Sequence, residues 1–341
     1  MRARRFLPFL VASLLVPSSA FAQDHGIKIA AGDFGLGIGD VRRLDGLRLN
    51  FRDRDLELVR GINATIWAPH EDTGAESVVK GLALGFPLTG GGEIHGLALG
   101  AGIAVERDFV GVGFAPIGMG AGQSLRGIAI GGVGLGTGGD AEGVMLGGVG
   151  VGAGGNIRGI VLGGVGGGAG GDLEGIGFGG VGFGVGGDFT GVALGGVGVG
   201  AGGNGRGILA GGVGVGVGGD FEGIAIGGVG VGVGGELRGL ALGGIGVGAS
   251  KITGVVLSGI GAGAQEFRGL AVAPVYFKIE NGGLLRGVSL SAVNNVRGSQ
   301  RGLTIGIVNI ADELHGLQVG VINIARNKRS FSVLPIANYC K

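Results

Sequence analysis

The residues of this chain that could do chemistry recur at fixed intervals. Asp140, Asp172, Asp188 and Asp220 each follow a Gly-Gly pair. A row of carboxylates can collect a divalent cation through oxygen ligands. Gly-Gly-Asp runs also occur in calcium-binding β-rolls, but those repeat every nine residues, and here the interval is 16 or a multiple of it. Asn156, Asn204 and Glu236 occupy the same place in other copies, and Asp and Asn are turn-forming types. Turn chemistry is the expected role, and no metal or cofactor is expected. Histidines at 25, 70, 95 and 315 are scattered without metal-ligand spacing. Gly-x-Gly-x-x-Gly matches such as Gly150, Gly152 and Gly155 follow from composition, with 91 glycines in 341 residues. No helical pattern follows them to hold a phosphate, so a dinucleotide site is not expected.

A second set of charges points to structure. Two residues after the Asp position the chain reads Arg126, Glu142, Arg158, Glu174, Thr190, Arg206, Glu222 and Arg238. Signs alternate from copy to copy with one neutral break. Opposite charges gain when consecutive copies lie side by side at about 4.8 Å, and the preference fades at twice that distance in water. Arg126, Glu142, Arg158, Glu174, Arg206, Glu222 and Arg238 are therefore read as a structural charge ladder.

The elements that must position these residues come from an internal repeat. Eighteen anchor glycines, from Gly46 to Gly316, follow a polar turn and precede an apolar triplet. They are spaced by 16 from Gly111 to Gly239 and mostly by 15 elsewhere. In one copy, Asp220-Phe221-Glu222-Gly223 is a turn and Ile224-Ala225-Ile226 alternates in size. Gly227-Gly228 then breaks the alternation, and Val229-Gly230-Val231-Gly232-Val233 resumes it in shifted parity. Two short period-2 stretches joined by Gly pairs predict two β-strands with corners. So many interior glycines exclude a helix, at about 1 kcal/mol each relative to Ala. Partners of Gly here are Val, Ile, Leu and Ala rather than Ser, Gln or Lys, which excludes a solvated linker.

The expected fold is all-β: a parallel β-solenoid of about 18 coils with 15–16 residues per coil. The alternative is an antiparallel β-barrel or meander of short hairpins. A transmembrane barrel needs strands of about 9 to 11 residues, longer than these stretches. Within the solenoid, Ile224, Ile226, Val229, Val231 and Val233 are expected inward, and Ala225, Gly230 and Gly232 outward on a flat face. The opposite orientation would give a greasy exterior suited to lipid or self-stacking.

The chain divides into a signal peptide (1–22), an N-terminal cap and first coil (23–60), the glycine-rich solenoid (61–316), and a last coil with C-terminal cap (317–341). The signal reading rests on Arg2, Arg4 and Arg5, the apolar run Phe6 to Val16 and the Ala20-Phe21-Ala22 site. Charges at Arg52, Asp53, Arg54, Asp55 and Glu57 alternate in sign as a solvated cap does. Pro335 near the C-terminus is expected to end the alternation and protect an open sheet edge. Cys340 is the single cysteine and forms no internal disulfide.

Two C-terminal segments carry a resemblance. "GLTIGIVNIADELHG" and "GLQVGVINIARNKRSFSVLPIANY" share Gly-Leu-x-Val/Ile-Gly-x-x-Asn-x-Ala, closing on Leu-Pro-Ile-x-Asn. This pattern resembles a bacterial surface-repeat family first noted in spirochaetes, and "GLRLNFRDRDLELVRGINATIW" is similar to that family's entry segment. The resemblance implies an exported or surface-located repeat protein without assigned chemistry. Asn294, Asn309 and Asn323 each lie seven residues after their anchors, where central copies have Gly, as at Gly230. They are read as structural positions, an inward hydrogen-bonded column rather than ligands.

The function expected is a non-enzymatic structural or interaction protein of the bacterial cell envelope, in periplasm, outer membrane or cell surface. Its Gly/Ala face would meet a second copy or an envelope partner. Membrane association is compatible with this composition; a net charge of +1 gives no reason to expect nucleic acid. An outer-membrane β-barrel is the alternative function. A carbohydrate-active β-helix would need clustered acids or bases in an outer groove, where this repeat places Gly and Ala.

Overall fold

The computed structural model describes residues 25–67 and 76–341. The signal segment and His70 lie outside these residues. The described chain is a parallel β-solenoid of about 17 turns. Consecutive copies pair in register: Gly175 pairs with Gly159 and Gly191, and Gly207 with Gly191 and Gly223. Each central coil has a seven-residue strand, as at Phe221–Gly227, and a four-residue strand, as at Gly214–Val217. Equivalent strands of successive coils form the two sheets. The Gly-Gly corner continues the ladder, with Val165 N–H donating to Val149 O at 2.8 Å. Parallel neighbours along the stack overturn the barrel and meander alternatives.

The anchor glycines make the first sheet possible. From Gly46 to Gly302 their φ lies between +117° at Gly143 and +149° at Gly302, a region L side chains avoid. A Cβ at any of the eighteen would lie 1.8–2.3 Å from the carbonyl oxygen of the stacked glycine before it. Backbone packs directly on backbone there, so glycine is required for space at all of them and for conformation at the first seventeen.

The facing of the first strand differs from the sequence expectation. Ala225 is fully buried, whereas Ile226 is 38% and Val229 44% exposed. Val231 and Val233 do face inward, and Gly232 outward. The reason is the thin interior. Phe221, at the start of the first strand rather than in a turn, and Val231 and Val233 of the second fill it, leaving room for only a small residue at the middle of the first. Volumes compensate coil by coil. Where Phe183 is the inward residue of the second strand, position 177 is Gly, and a Cβ there would meet the ring at 2.4 Å. The neighbouring coil pairs buried Val161 with Gly167. Dense packing of this kind makes a single added methyl group felt.

Both ends fold back on the stack. His25–Ala31 pairs antiparallel with Phe34–Asp40, which joins the first coil in parallel. Val333–Cys340 pairs antiparallel with Gly316–Ala325. Pro335 therefore does not end the sheet; it sits in this outermost strand, where a residue without an N–H is tolerated.

Candidate functional surface

The polar residues of the central coils collect along one edge. Asp140 Oδ1 accepts from Asn156 N–H at 2.8 Å, Asn156 Oδ1 from Asp172 N–H at 2.8 Å, and Asp172 Oδ1 from Asp188 N–H at 2.8 Å. The same bond runs on through Asn204 and Asp220 to the N–H of Glu236. Each side chain closes the turn of its own coil onto the backbone of the next. That is why Asp and Asn interchange here: both offer an oxygen at Oδ1. Among the described residues no group of three or more His, Cys, Asp or Glu is arranged to hold a metal ion.

Arg126, Glu142, Arg158, Glu174, Thr190, Arg206, Glu222 and Arg238 form one in-register column. Its ion pairs are discrete: Arg126–Glu142 at 3.9 Å, Arg158–Glu174 at 3.0 Å and Arg206–Glu222 at 2.9 Å. Arg238 turns instead to Glu236 of its own coil at 2.8 Å. The hydrogen bond from Arg238 holds the Glu236 carboxyl at about 2, well below its ordinary range. A shallow groove of about 280 Å³ lies between the Asp/Asn and charged columns. Its Arg158 and Glu174 are already paired with each other, and Asp140 and Asn156 with backbone.

Two clusters at the ends are buried. Asn294 Nδ2 donates to Asn309 Oδ1 at 2.8 Å, and Asn309 Nδ2 to Asn323 Oδ1 at 2.7 Å, all three fully buried. Asn294 stacks on Phe277, Ala262 and Val247. Its column is thus the inward Val231 column, not the Gly230 column that counting from the anchor indicates. Some coils are a residue shorter at the corner, which shifts the count by one. Gln318 Nε2 donates to Gln300 Oε1 at 3.1 Å beside this ladder.

At the other end, Arg48 and Asp53 form a buried ion pair, with 0% and 1% of their side chains exposed. Arg48 also donates to Val41 O and Asn63 Oδ1, each at 2.9 Å, and Asp53 accepts from Asn63 at 2.8 Å and Thr65 at 3.0 Å. Asp53 is therefore not part of a solvated cap. Alternating signs look the same in sequence whether charges are solvated or paired inside. The available signal was position: Arg48 and Asn63 sit two residues after their anchors, where central coils have Ala, Gly, Val, Leu or Met.

The outer face of the first sheet takes the orientation opposite to the favoured expectation, the greasy exterior that the sequence offered as the alternative. In every coil the first and third residues after the anchor point outward, and in all eighteen both are apolar. Ile160, Leu162, Ile176 and Phe178 are 36–43% exposed. A further column, Val149, Val165, Val181, Val197 and Val213 among its members, stands about half exposed at the adjoining corner. The outer face of the second sheet is bare. Gly152, Gly184, Gly216 and Gly232 have open space where a Cβ would be, so glycine there is not a packing requirement. Comparison with protein-family models, curated proteins and solved structures gives no match.

Proposed function

We propose that this protein is a rigid, non-enzymatic interaction scaffold of the cell envelope whose contact surface is the apolar outer face of the first sheet. The reading carried by the sequence, an exported repeat protein with a Gly/Ala contact face, is kept for location and changed for the face. The observation that carries it is the unbroken absence of polar residues from both outward columns over eighteen coils. At about 4.8 Å per coil such a strip is about 80 Å long. Contiguous apolar patches beyond a few hundred Å² mark contact sites in soluble proteins. The charged groups near the groove are engaged in turns and ion pairs, which supports a binding role over a catalytic one.

The test is fractionation of bacteria expressing the full chain, wild type against Ile160→Thr/Ile176→Thr/Ile208→Thr. Threonine keeps strand propensity while removing apolar surface. The wild type is expected in the envelope pellet and the variant, with an unchanged far-UV spectrum, in the soluble fraction. A wild type recovered as a soluble monomer would sink the reading.

A further inference from the structure

The partner of the apolar face is marked by the charges that border it. The residue before each anchor points outward on the same side of the sheet as the two apolar columns, so it forms their border. Over the eighteen coils that border holds nine Arg or Lys and four Asp or Glu. Each of the four acids is already paired with a neighbouring arginine: Asp45 with Arg60, Glu142 with Arg126, Glu174 with Arg158 and Glu222 with Arg206. What is left over is positive. In the C-terminal coils the alternation stops, and Arg268, Arg286 and Arg301 are direct in-register neighbours. Arg268 reaches Glu266 at 3.6 Å. Arg286 and Arg301 are exposed and adjacent, and among the described residues no carboxylate lies within ion-pair distance of either. Like charges directly opposite on paired strands repel. They are tolerated best where an anion outside the chain lies between them.

We infer that the outer face of the first sheet lies on an anionic phospholipid surface, resting on the contact-face reading above. The apolar columns would sit at the boundary of headgroups and acyl chains, with the arginine border at the level of the phosphates. Apolar area and basic charge together are what bind a protein to an anionic interface without crossing it. A second copy of the chain fits this face less well. Its own border offers no free acids to meet Arg286 and Arg301, since every acid in that column is engaged. The bare outer face of the second sheet is bordered in the central coils by the Asp/Asn column and not by arginines, and serves as an internal control.

The experiment is flotation of the full chain with vesicles of phosphatidylcholine alone or with a quarter phosphatidylglycerol, alongside sedimentation without lipid. The proposal expects partitioning at least tenfold stronger into the anionic vesicles, weakening as salt is raised. Arg286→Gln/Arg301→Gln should reduce that preference by on the order of fivefold per arginine. Ile160→Thr/Ile176→Thr/Ile208→Thr should abolish binding to both vesicles, whereas Gly184→Ser/Gly216→Ser, on the other sheet, should leave it unchanged. Circular dichroism on each variant separates loss of binding from loss of fold. Equal binding to neutral and anionic vesicles, or indifference to the arginine pair, overturns the inference. So does an absence of vesicle binding. If the chain then self-associates through the isoleucine positions, the contact-face reading survives with a second copy as partner; if it is an inert monomer, both fall.

Discussion

The central coils and the end coils have the same backbone and opposite interiors. From Ala83 to Ala271 the buried middle position of the first strand is Ala, Gly, Val, Leu or Met. In the first two coils the same position is Arg48 and Asn63, and in the last three Ser289, Thr304 and Gln318. The difference bears on register. In the middle, a slip of one coil returns Val231 to the place of Val215 and Gly223 to that of Gly207, with nearly the same contacts. Apolar columns therefore stabilise stacking without choosing which coil follows which. Buried polar networks are directional and partner-specific, and setting register is their best-attested use. Arg48 with Asp53, and Asn294 with Asn309 and Asn323, each have partners that no central coil supplies.

The comparison breaks most sharply at a feature both regions share. Gly191→Val should cost about 5 kcal/mol or more, because φ is +134° and the Cβ would lie 1.9 Å from Gly175 O. Gly184→Ser, a few residues away with open space around it, should stay within about 0.5 kcal/mol. Denaturation of the two variants measures the contrast, and equal losses would show that glycine in this chain serves composition rather than position.

Next in size is the N-terminal pair. Asp53→Ala strands the buried Arg48 guanidinium and should destabilise by about 3 to 5 kcal/mol. Asn309→Ala removes one bond to each neighbouring Asn and should cost about 2 kcal/mol. Beyond that loss, register-setting predicts faster amide exchange in Gly302–Ile310 than overall stability accounts for. Exchange that follows global stability alone would leave the Asn column as ordinary packing.

Stacking was legible in the sequence because it depends on period, and a period of 16 with alternating charge admits direct neighbours only. Facing was not legible. Ile224-Ala225-Ile226 alternates with period 2 whichever side is inward, and the choice is made by how much space Phe221, Val231 and Val233 leave. The sequence also favoured the glycines as the contact face, since large residues ordinarily go inside. Here the interior is too thin to take two sets of them, so the first strand's large side chains become the surface. The Asn column was misaligned for a similar reason: a residue lost at a corner changes the count from the anchor but not the register of the strands.

The smallest effect concerns the charged border, where the regions differ in sign pattern rather than burial. Arg158 and Glu174 are 72% and 65% exposed at 3.0 Å, so their pair contributes on the order of 0.2 to 1 kcal/mol. Glu174→Arg places two basic side chains in consecutive coils, the contact that Arg286 and Arg301 already make at the C-terminal end. It should destabilise by a few tenths to about 1 kcal/mol at low salt, less at high salt. Adding Arg158→Glu restores an opposite-charge contact with position 174 while creating a like-charge contact with Glu142. The cycle is therefore read against Glu142→Gln as background, where a coupling of a few tenths of a kcal/mol is expected between 158 and 174. Zero coupling there would mean the central alternation sets net charge along the border and not stacking. In that case the central coils were made neutral, and the C-terminal ones left basic, for what lies against them.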